Sequence, residues 1–134
     1  MRRWWRGVVA RVLGVTFPGT ERMPGLDPGR SRTFLDRLSR EAPWTLRRVL
    51  DLSVLLFLVS PPLTIRRLRP ALLLSTPDLD RHANALAHHR SYLGRQVMAM
   101  IKTVGGMCWG ADDDVRRSLQ IEPYGPDPGT WRQS

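Results

Sequence analysis

Residues 52–65 run for 14 positions without a charge and carry Pro61-Pro62 in their second half. Such a stretch falls short of the roughly 20 apolar residues that cross a bilayer, and proline ends any helix begun upstream. The helix led by Pro43 is therefore predicted from Trp44 to about Val59, with Leu46, Val49, Leu50, Val54, Phe57 and Leu58 on one stripe. Arg47, Arg48 and Asp51 lie opposite in its first half. Beyond Asp51 the helix is apolar on every side. Two outcomes fit that pattern: a central core helix, or one embedded in a partner or membrane.

The rest of the chain also reads as helix. From Trp4 to Phe17 the apolar Trp4, Trp5, Val8, Val9, Val12 and Leu13 are punctuated by Arg6 and Arg11, an amphipathic pattern that Pro18-Gly19 ends. The turn-rich residues after it, with Pro24-Gly25 and Asp27-Pro28-Gly29, predict an irregular loop. Ser31 is placed as the cap of a short helix carrying Phe34, Leu35 and Leu38. Ser75-Thr76-Pro77-Asp78 opens another helix, with Leu79, Ala83 and Leu86 toward the core. Leu93, Val97, Met100, Ile101, Val104 and Met107 mark a second strong helix, and Asp112 to Asp114 cap a short last one. No segment alternates with period two and no repeat is found. The expected fold is all-α: an irregular bundle of about five to six helices over residues 1–122, with an extended Pro/Gly-rich tail over 123–134.

Composition narrows function more than fold. Twenty arginines and one lysine, Lys102, face 12 acidic residues, for a formal charge of +9. That balance favours an anionic partner surface. The arginines scatter over most segments without interleaved aromatic rings, which argues against a nucleic-acid-binding platform, so nucleic acid stands as the third alternative. Met1-Arg2-Arg3-Trp4-Trp5-Arg6 has some likeness to a twin-arginine export signal. Arg11 interrupts its apolar run and no small-residue cleavage site follows, which favours a cytoplasmic or membrane-peripheral location over export.

Sites of chemistry are sparse. Cys108 is the single cysteine, which excludes an internal disulfide and a cysteine-based zinc site; no catalytic partner adjoins it, and a buried small side chain is the expectation. His82, His88 and His89 are spaced by six and one, not by the four that would pair metal ligands on one helix face. They are read as exposed or interfacial. Asp112 to Asp114 lack the spaced oxygen ligands and glycine of a calcium loop. The Gly105-Gly106 pair lacks the strand and lysine of a phosphate loop. No catalytic, metal or cofactor-binding residue is assigned, and the chain is read as a non-enzyme. Trp4 and Trp5 beside arginines suit either a core helix or an in-plane membrane helix, whose rings sit at the head groups. Residues assigned to docking on a partner or membrane are Trp4, Trp5, Phe57, Trp109, Tyr124 and Trp131.

The order of these segments resembles a known family. An opening helix closes on Phe17-Pro18-Gly19, a Trp44 helix leads to Leu55-Leu56-Phe57-Leu58, and a Pro77-led helix follows. Next come Lys102-Thr103-Val104-Gly105-Gly106-Met107-Cys108-Trp109-Gly110-Ala111-Asp112 and Val115-Arg116-Arg117-Ser118-Leu119. This layout is similar to the small helical module associated with flavin oxidoreductases of the glucose-methanol-choline class. That module is found at the N-terminus of long-chain alcohol oxidases or as a separate subunit like gluconate 2-dehydrogenase subunit 3. The chain departs from it at Cys108, where the family has a second aromatic, and at Gln120-Ile121, where it has Gly-Tyr. The resemblance implies an accessory subunit that stabilises or locates a large flavoprotein, with FAD held by that partner and none by this chain.

Overall fold

A computed structural model describes residues 3–122, and within them every regular element is helical. Five long helices are α1 (Arg3–Thr16), α2 (Pro28–Glu41), α3 (Trp44–Val59), α5 (Thr76–Ala87) and α6 (Tyr92–Gly110). Two short ones, α4 (Pro61–Thr64) and α7 (Asp113–Ser118), and a 3-10 turn at Ala71–Leu73 complete the described set. The fold is the all-α bundle anticipated from the sequence. The tail over 123–134 lies outside the described residues.

Local chemistry explains where the elements begin. Asp27 caps α2, its carboxylate accepting from the backbone amides of Gly29 and Arg30, with Pro28 at the first helical position. The backbone N–H donors Asp27 satisfies hold its carboxyl below the usual range. The start expected at Ser31 is thus corrected by four residues. Asp27-Pro28-Gly29 is a helix start, not loop, and Ser31 is buried within the first turn with its hydroxyl donating to the Asp27 carbonyl at 2.6 Å. Pro61-Pro62 ends α3 but does not end helical structure. Missing N–H groups cost nothing in a first turn, so the two prolines open α4 immediately.

The core is made by α1, α3, α5 and α6 around Val9, Leu13, Leu50, Val54, Phe57 and Ile101. Helix α6 crosses the middle and buries Val97, Met98, Ile101, Val104, Gly105 and Cys108. This stripe is rotated from the one predicted: Leu93 and Met107 are 60% and 54% exposed. Gly105 lies on the buried side. A Cβ there would sit 2.6 Å from Cε2 of Phe17, so the ring at the end of α1 rests directly on the α6 backbone. Phe17 also stacks on Trp109, ring centroids 6.3 Å apart, and the Trp109 indole donates to the Pro24 carbonyl at 2.9 Å. With Phe17 held on both sides, Gly105→Ala forces overpacking of about 1–3 kcal/mol, against at most about 1 kcal/mol of improved helix propensity. A lowered urea midpoint with an unchanged slope is the expected result.

The joint between α3 and α5 is polar and buried. Pro61 cannot donate to the carbonyl of Phe57 four residues earlier, and His82 of α5 fills the gap, its Nε2 lying 2.9 Å from that oxygen. A carbonyl only accepts, so Nε2 carries the proton and Nδ1 accepts from the Thr64 hydroxyl at 2.6 Å. The ring also packs on Phe57, centroids 4.7 Å apart. His82 is fully buried, which corrects its assignment as exposed or interfacial. Burial pushes its pKa down, opposed by the bond to Phe57.

Candidate docking surface

Helix α3 buries Leu50, Ser53, Val54 and Phe57 on one side and leaves the other uncovered. Leu52, Leu55 and Val59 are 54%, 48% and 58% exposed, and Val49 lies beside them. The core outcome drawn for this helix thus holds for one face, and the other face is bare. Where α3 passes α6, a groove opens between Leu46, Val49, Leu52 and Leu56 on one helix and Leu93, Met100 and Met107 on the other. Gln96, Ser53 and Thr103 are its polar lining, and no ionisable side chain lines it. Methionines on such a surface adapt to the shape of what covers them. Exposed apolar side chains gathered on one face make it a candidate interaction surface.

None of the described residues assigned to docking lines this groove. Phe57 lies in the core with none of its surface exposed, which corrects its docking role: it packs against His82 and does not line the groove. Trp5 is half-buried against the core, and its indole donates to Asp51 at 2.6 Å, tying α1 to α3. Trp4 meets Trp5 edge to face and is 64% exposed. Trp109 is half-buried at the Phe17 corner. Tyr124 and Trp131 lie outside the described residues. Of the groove residues, Leu93 and Met107 stood in the predicted apolar stripe of α6 and Leu52 in the run open to core or partner, but none was assigned to docking individually. The available signal was the apolar belt of α6, which is wider than one buried stripe requires, with glycine and cysteine marking the side that is closely packed.

The remaining polar clusters have structural work. Asp112 caps α7 through the Asp114 amide at 2.9 Å, and Arg30 of α2 bridges Asp112 and Asp114. Cys108 is buried behind this corner; burial pushes its thiol pKa up, away from a reactive thiolate, with the neighbouring Ser31 hydroxyl opposing the shift and the Asp112 carboxylate adding to it. Among the described residues no group of His, Cys, Asp and Glu side chains has the arrangement of a metal site, and no helix is long and apolar enough to cross a membrane. No family model, curated protein or solved structure matches the chain.

Proposed function

We propose that this chain is a non-catalytic accessory subunit that docks through its α3/α6 face onto a flavin-dependent alcohol- or sugar-type oxidoreductase, stabilising or locating that enzyme. The uncovered, ion-free groove supports docking. The identity of the partner rests on the resemblance of segment order to the glucose-methanol-choline accessory modules.

The chemistry of the partner surface follows from the groove. An apolar helix or strand face fits its floor. FAD would be carried by the partner, and this chain supplies no side chain to it. The test is purification of the tagged full chain from the cells that encode it. A complex with flavin absorbance at about one flavin per chain is expected; recovery of the chain without flavin would sink the reading.

A further inference from the structure

We propose that the cleft between α1 and α2 is a binding site for a phosphate group, separate from the α3/α6 docking face. Arg3, Gly7 and Arg11 follow one another at four-residue spacing along α1, and Arg32 and Asp36 do the same on α2, so the two rows face each other across an open cleft of roughly 850 Å³. Arg6 projects into it and is braced by an ion pair with Asp36. Arg3, Arg11 and Arg32 are exposed and have no acidic partner among the described residues. Three uncompensated arginines thus line one cleft holding a single carboxylate that is already paired.

Gly7 lies between the two rows. The Arg32 guanidinium lies over it, 3.8 Å from where a Cβ would be, so alanine would fit there but a side chain as large as leucine would occupy the floor between the rows. A lone carboxylate would neutralise one of the three free cations. A phosphomonoester or pyrophosphate carries several charges and presents oxygens in the geometry that guanidinium forks match two at a time. Trp4, exposed at the same rim, gives a flat ring next to whatever carries the phosphate. That carrier is a soluble phosphate compound or a lipid head group, and the ring suits either.

Two probes separate the sources. Inorganic pyrophosphate is titrated calorimetrically into the full chain at fixed chloride, and the chain is floated with phosphatidylcholine vesicles containing or lacking phosphatidic acid. Binding in either arm is expected to weaken about tenfold or more in Arg11→Gln/Arg32→Gln. It should be unchanged in Arg69→Gln/Arg90→Gln, which removes the same charge elsewhere. Pyrophosphate binding with this pattern assigns a soluble phosphate; flotation that requires phosphatidic acid, with the same pattern, assigns the head group. Failure of both probes with the wild type overturns the site, as does equal weakening by the two double variants, which would reduce the effect to net charge. Gly7→Leu covers the case in which the first variant does not fold. It fills the floor at constant charge and should lose binding, and full retention would overturn the site.

Discussion

His82→Ala is expected to lose about 2–4 kcal/mol of folding stability, a large fraction of the roughly 5–15 kcal/mol available to a domain of this kind. Two losses add. The Phe57 carbonyl, denied its helical donor by Pro61, would be left buried with only a 3.5 Å contact from the Ser60 hydroxyl, and the space beside the Phe57 ring would empty. The Thr64 hydroxyl would also lose its acceptor at Nδ1. His82→Phe separates the contributions, because it refills the volume and still orphans the carbonyl. It should recover part of the loss and no more. Chemical denaturation of the three proteins side by side measures this.

The same joint gives the wild type a pH dependence of known sign. The folded-state pKa of His82 lies below its ordinary value of 6.5, so as pH falls through 6.5 the unfolded chain takes up a proton that the folded chain refuses. The stabilisation is complete above that value and drains away as pH drops toward the lower folded pKa. Unfolding free energies between about pH 7.5 and 5 should therefore slope downward on acidification in the wild type and flatten in His82→Ala, in a range above most carboxylate titration. Parallel slopes would remove His82 as the cause.

The second large effect concerns the docking face. Leu52→Asp/Leu93→Asp places two carboxylates on opposite walls of the α3/α6 groove. Both leucines are largely exposed in the isolated chain, so the cost to folding should be small, within about 0.5 kcal/mol per site. In a complex, each carboxylate would have to be desolvated against an apolar partner surface. Losses of about 2 kcal/mol or more per central interface residue are usual for truncation alone, so the pair should weaken association by roughly a thousandfold. A variant that keeps the helical circular dichroism and melting temperature of the wild type but loses its partner separates binding from folding.

How much of this was legible in the sequence depended on the length scale of the cue. Helical periodicity and proline positions located α1, α3, α5 and α6 because those signals are local to each helix. The Asp27 start of α2 was missed because Asp-Pro-Gly is equally a turn signature. What decides between the two is whether an amphipathic stripe follows at once, and here it begins several residues later. His82 was misplaced for a longer-range reason. Its partner is a carbonyl 25 residues away, freed by a proline in another helix, and no local pattern around position 82 reports that vacancy. The candidate docking face was half legible: the charge-free run of α3 announced surplus apolar surface, but which side is covered depends on how the helices pack, with Phe17 closing on Gly105 of α6 as one contact of that packing. The arginine cleft was hidden in a composition spread over the whole chain, because pairing α1 with α2 is what brings its rows together.

The most direct measurement of the central claim is the flavin-to-chain ratio of tagged wild type and Leu52→Asp/Leu93→Asp, purified in parallel from the cells that encode the chain. The account predicts a ratio near one for the wild type and near zero for the variant, with both chains equally folded. Equal ratios in the two would contradict docking through the α3/α6 face, and a wild type without flavin would contradict the flavoprotein partner itself.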